Sequence, residues 1–186
     1  SLEKIGKAGP ALGIINAALA AFSAKALIDS FVDANVAVEK FETGIKAVQG
    51  SSTDTGAQLA YVRDVANRLG LDVGATATAF LQLTAATQGT TLQGRATREV
   101  FEAVATAMGA LGKSSSETEG AFKAIEQIVS KGKVSMEELR GQLGDRLPGA
   151  LQIAARAMGV TTTEFEALVK SGLSAEAFLP AFAAEL

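Results

Sequence analysis

The sequence predicts an all-α fold, with one long N-terminal helix followed by a compact array of short capped helices. Three observations carry that reading. Alanine, leucine and the charged helix formers dominate the 186 residues, whereas tyrosine occurs once and tryptophan not at all, so strand-favouring aromatics are sparse. From Ala11 to Val48 there is no proline, and glycine stands only at 13 and 44. After Gly50 the chain alternates helical runs with glycine stops and polar restarts.

The opening helix is expected over about 11–48. In its second half Leu27, Phe31, Ala34, Val38, Phe41, Ile45 and Val48 alternate spacings of four and three, a coiled-coil seam sustained for three heptads. At 1.5 Å per residue the seam is roughly 30 Å long. It serves either self-association, through Leu27, Phe31, Val38, Phe41 and Ile45, or packing along the chain's own core, and the sequence leaves both open. The stretch from Ala8 to Ala24 is uncharged and 17 residues long, rich in alanine, with Asn16 inside it. A membrane-spanning helix needs about 20 predominantly apolar residues, so a buried or oligomer-facing helix is the first reading of 8–24 and membrane insertion the second. Residues 1–50 are therefore read as an Ala-rich helical segment and 51–186 as a separate helical domain.

Within 51–186, helices are expected near 54–69, 73–87, 92–111, 116–131, 135–146, 149–158, 161–171 and 175–185. Stops fall at Gly70, Gly112 and Gly159, where a left-handed glycine followed by an apolar residue such as Leu71 or Val160 closes a Schellman-type end. Restarts carry the capping-box spacing at Ser116 with Glu119, Ser135 with Glu138 and Thr161 with Glu164. The threonine-rich run Thr76 to Gly94 is the weakest helix, because β-branched residues lose rotamer freedom there, and Gly89 to Thr91 must turn. Around "RGQLGDRLPGALQIAARAMG", Leu139, Leu143 and Leu147 form one apolar face, and Leu151, Ala154, Ala155 and Met158 another. Pro148 should end the first helix and begin the second, with Gly141 and Gly144 permitting close helix approach. The stretch reads as a corner between packed helices with no ligand in it.

Composition removes most chemistry. With no cysteine and no histidine, disulfides, thiolate zinc sites and the usual near-neutral acid or base are all missing. The net charge of −3 comes from interspersed acids and bases, which gives no basic stripe for nucleic acid. The carboxylate pairs Glu117 with Glu119, Glu137 with Glu138, and Glu164 with Glu166 all sit in first turns, where capping explains them. "GKSSSE" at Gly112 lacks the spacing and the strand of a phosphate loop. Arg63, Arg68, Arg95, Arg98, Arg140, Arg146 and Arg156 are scattered and read as a solvated face or helix-end partners. No catalytic, cofactor-binding or metal residue is assigned, and the expectation is a protein that is not an enzyme.

From Ser130 to Leu186 the chain resembles the tape measure proteins of tailed bacteriophages and prophages. The likeness rests on "GKVSMEELRGQL", then "LPGA", then "ARAMGVT" and the "KSG" turn before the last helix. It extends back through "FLQLTAATQGTTLQGRATREVFEAVATAMGALGKSS" and "YVRDVANRLGLD". The resemblance implies a large helical protein inside the lumen of a growing tail, setting tail length and leaving during genome ejection. It implies tail tube protein, tail assembly chaperones and tail tip or baseplate proteins as partners, and passage through the host cytoplasm during assembly. It also implies a much longer parent, which a chain opening on Ser1 fits as a fragment. Two alternatives of other classes are a membrane-active protein inserting through residues 8–24 and a tail-associated peptidoglycan hydrolase.

Overall fold

A computed structural model of the chain describes residues 38–186. The Ala8 to Ala24 stretch and the seam positions Leu27, Phe31 and Ala34, with most of the long helix expected over 11–48, lie outside the described residues. Everything described is helix, turn or loop, apart from a single antiparallel bridge between Lys133 and Ser174. The helices are α1 (38–49), α2 (Thr55–Leu69), α3 (Val73–Thr87), α4 (Arg95–Ala110) and α5 (Ser115–Lys131), then a π-helical segment (Glu137–Leu143), α6 (Ala150–Ala157), α7 (Thr162–Lys170) and α8 (Ala175–Glu185).

From Phe41 onward the chain forms one compact unit. Its interior begins with Phe41 and Ile45, 2% and 0% exposed, so these two seam positions face this chain's own core. The Phe41 ring lies 6.4 Å from Phe80 on α3, and Phe80, Phe101 on α4 and Phe122 on α5 follow at 5.0 Å intervals. Tyr61 on α2 meets both Phe80 and Phe101 at 5.4 and 6.1 Å. Helical spacing puts each ring on the inward stripe of its own helix, and edge-to-face or offset stacking adds to the burial of area. A second cluster, Phe165, Phe178 and Phe182, joins α7 to α8. α8 also packs on α4 and α6, which ties this cluster to the rest of the core.

The helix ends follow the expected punctuation in most places. Gly70, Gly112 and Gly159 take φ of 67°, 62° and 67°, and the residue after each donates five residues back, Leu71 to Ala66, Lys113 to Met108 and Val160 to Ala155. The threonine-rich run is helical to Thr87, then turns. Thr76, Thr78 and Thr87 donate their hydroxyls to carbonyls one turn earlier, which reconciles them with a helix.

Three starts differ from expectation. The capping box of α5 is Ser114 with Glu117 rather than Ser116 with Glu119, because Ser114 is the last extended residue, at ψ 160°, and the box counts from there. The expected helix start near 92 moves to Arg95, after a tight turn that buries Leu92 to 2% exposure. Ser135 and Glu138 form no box. The Glu138 amide reaches Ser135 Oγ only at 3.5 Å, and the Glu138 carboxylate turns inward to Lys131. Thr161 with Glu164 forms the complete box that its spacing predicts.

Candidate functional site

The stretch that carries the family resemblance most densely, Lys131 to Gly159, is also where the backbone departs from α-helix. Where an α-helix was expected over 135–146, Glu137–Leu143 is π-helical and the chain then tightens into hydrogen-bonded turns from Gly144 to Leu147. Wide turns of this kind are uncommon and concentrate where a fold needs a local re-aiming of side chains. Here the result is that Leu139 and Leu143 reach full burial and Leu147 3% exposure, as the apolar spacing required.

Gly144 explains how the wide turn ends. A Cβ at this residue would collide with the carbonyl oxygens of Arg140 and Leu139, so the chain can close over its own preceding turn only without a side chain. Gly141, by contrast, has nothing near its missing Cβ. The expectation that both glycines allow helices to approach is therefore replaced by a local backbone requirement at Gly144 and by no packing requirement at Gly141.

Pro148 does not enter the next helix. The Ala150 amide donates to the Leu147 carbonyl at 3.1 Å, and Gly149 has φ 82° and ψ 8°, the third-residue geometry of a type II turn. Pro148 thus fills the second position of the turn, where its fixed φ is favoured, and Gly149 is the cap from which α6 starts. The stretch is a corner between packed helices, but a Pro-Gly turn makes it.

Charged groups lock the corner from both sides. Glu138 is 2% exposed and its Oε1 pairs with Lys131 at the end of α5, which holds the lysine pKa above its ordinary value through that hydrogen bond. The Arg146 side chain lies over Gly120 of α5 and donates to the Gln142 carbonyl, while Arg140 pairs with Glu166 on α7. An open polar hollow of about 360 Å³, lined by Glu137, Gly141, Gln142, Asp145 and Arg146, lies on the outside. Nothing in it combines a nucleophile with a base.

The carboxylate pairs noted in the sequence separate in space. Glu117 caps α5, and Glu119 is exposed; Glu137 is exposed while Glu138 is buried; Glu164 caps α7 while Glu166 holds Arg140. Among the described residues no group of three or more acidic side chains gathers as a metal site, and no helix is long and apolar enough to cross a membrane. The Lys131–Glu138 pair had no signal in the sequence, since the two residues are separated by the Gly132 stop and the isolated bridge at Lys133.

A family model described as tape measure protein matches residues 29–186. The chain belongs to the tape measure protein family. A probable tape measure protein of Salmonella phage Felix O1 (isolate Felix O1-VT1) is 34% identical over 170 residues, which cover 85% of this chain and 23% of that relative. The chain therefore spans about a quarter of the length of this tape measure relative. No solved structure matches it. The tape measure match takes in every described helix, including the corner with its π turn and its Pro-Gly turn.

Proposed function

We propose that this chain is a folded module of a bacteriophage tail tape measure protein, a structural component of the tail that anchors or positions the parent chain. The observation that carries the reading is the family match across 29–186, together with the way those residues fold. A ruler converts residues into length, and one continuous helix of 146 residues would reach roughly 220 Å. Helices α2 to α8 run no longer than 17 residues and fold back on one another around shared cores. A body packed in this way supplies binding surface. Tail length is then set by other parts of the parent chain, and this module contributes to tail tube assembly through contacts with tube protein, assembly chaperones or tip proteins.

In a phage encoding the parent chain, Phe101→Asp, which unfolds the module without changing chain length, should abolish tails or leave few of them, with survivors of normal length. Tails that instead form in normal number, and shorten in proportion when this segment is deleted in frame, would make the segment part of the ruler. Self-association through the seam positions ahead of Phe41, namely Leu27, Phe31 and Val38, is part of the same proposal. Phe31→Glu should lower the mass of the purified oligomer, and a strictly monomeric wild type removes the idea.

A further inference from the structure

Helix α4 begins without the device that most other helices of this body use. Asp54, Asp72, Ser114, Thr161 and Ser174 each accept a hydrogen bond from the first turn of the helix that follows. The cap of α4 is Gly94, which has no side chain to offer, and its first turn contains no acid. Arg95 and Arg98 stand there instead, positive charge placed at the positive end of a 16-residue helix. Left to itself, that arrangement is unfavourable.

These two arginines border a cleft of about 340 Å³ that is also lined by Gln49, Gln58, Phe80 and Thr84. Thr84 is the independent observation. It is 3% exposed and its hydroxyl has no hydrogen-bond partner, whereas Thr76, Thr87 and Thr97 nearby all donate to a carbonyl. A buried hydroxyl without a partner is costly. Arg98 has no carboxylate partner among the described residues. Its Nη2 donates to the neutral Gln58 Oε1 at 3.0 Å, and its guanidinium lies 4.7 Å above the Tyr61 ring. Arg95 is tied only through Nε, to Glu99 at 2.7 Å, with a side chain 92% exposed.

We propose that the cleft at the start of α4 binds a carboxylate carried by an acidic segment of a partner protein. Two arginines against Glu99 leave one net positive charge, which suits a monoanion, and a planar guanidinium matches a carboxylate with two parallel hydrogen bonds. The open N–H groups of the first turn supply further donors. Phe80 gives the cleft an apolar inner wall for the methylenes of a glutamate, and the volume exceeds what one carboxylate fills, leaving room for flanking backbone. The cleft belongs to the module proposed above and adds to it a surface and a partner chemistry.

The test uses the 186-residue chain at low salt with a capped tetraglutamate peptide, followed by backbone amide shifts and titration calorimetry, with capped tetraglutamine, acetate and inorganic phosphate as parallel arms. Tetraglutamate should move the amides of Gly94 to Arg98, and Arg98→Gln should weaken it at least tenfold, with Arg98→Lys recovering part of the loss. Because Arg98 also packs on Tyr61, the exposed Arg95→Gln provides a second variant, expected to weaken binding severalfold with an unchanged melting curve, whereas Thr84→Val should weaken binding while raising the melting temperature, since it removes a buried hydroxyl that has no partner. Absent or displaced shifts, or affinity indifferent to both arginines, would overturn the site. Phosphate binding as tightly as the peptide would replace the carboxylate assignment with a general anion site, and acetate matching the peptide would remove the partner segment.

Discussion

Between α2 and α5 the interior is filled by rings, Phe80, Phe101 and Phe122 at successive 5.0 Å centroid distances with Tyr61 alongside, and each helix is an ordinary α-helix. Between Lys131 and Gly159 there is no aromatic ring at all, and the path is set by a π turn, a glycine that cannot accept a side chain and a Pro-Gly turn. The first region is held by volume and the second by backbone geometry. Removing a side chain should injure the first most, and adding one should injure the second.

The largest effect is expected from Phe101→Ala. The ring is 0% exposed and touches three other aromatic residues, so the loss of burial and the cavity left behind should cost about 3–5 kcal/mol in urea unfolding. A cost below about 1.5 kcal/mol would mean the rings can slide together to fill the gap, and the contrast between the regions would weaken.

The corner is probed by the opposite change. Gly144→Ala places a Cβ against the Arg140 and Leu139 carbonyl oxygens, backbone atoms that cannot swing aside, and should cost about 1–3 kcal/mol. Gly141→Ala meets nothing and should be neutral, or stabilising by about 0.4–1 kcal/mol through the unfolded chain. Equal effects at the two sites would show that glycine is used there for flexibility and not for clearance.

The legibility of the two regions in the sequence differs for the same reason. Phe101, Val104, Ala105 and Met108 in α4, and Phe122, Ile125, Ile128 and Val129 in α5, recur at helical spacing and are buried as that spacing requires, although Leu111 at the end of the α4 row is 49% exposed; Thr161 with Glu164 declared its own cap in the same local way. Leu139, Leu143 and Leu147 were likewise legible as one buried face. The π turn was not, since its hydrogen bonds reach one residue further than those of an α-helix in a segment packed on both α5 and α6, and neither neighbour is visible in the local pattern. Ser135 with Glu138 had the right spacing for a cap and failed because Lys131 offers the carboxylate a better partner inside the fold. The cleft at α4 left a trace only in what was missing, a helix start without an acid or hydroxyl cap.

A smaller pair of variants separates a cap that forms from one that only has the spacing. Thr161→Ala removes a hydroxyl that both accepts from the Glu164 amide at 3.3 Å and donates to its carboxylate at 2.7 Å, and should cost about 1 kcal/mol. Ser135→Ala should change stability by less than about 0.5 kcal/mol, since its only contact with Glu138 is at 3.5 Å. A Ser135 effect as large as that of Thr161 would restore the box that the geometry denies.

The smallest effect is a dependence on acid at the α5 cap. The Lys113 ammonium, followed by the Ser114 amide and hydroxyl, draws the Glu117 carboxyl down from its ordinary 4.5 to about 2, and Thr161 lowers Glu164 in the same direction. A carboxyl with a lower pKa in the fold than in the open chain favours the fold in its charged form. That contribution is fully present above pH 4.5 and is lost as pH falls through the interval to about 2. Glu117→Gln should therefore narrow its stability difference from wild type steadily across that interval. The Lys113 part is a half-buried ion pair whose charge attraction should weaken with added salt, whereas the Ser114 part, a hydrogen bond from a backbone N–H, should persist. An acid slope that Glu117→Gln leaves unaltered would mean that the cap of α5 holds the helix by shape alone, and that charge contributes no more to this region than it does to the ring-filled core beneath it.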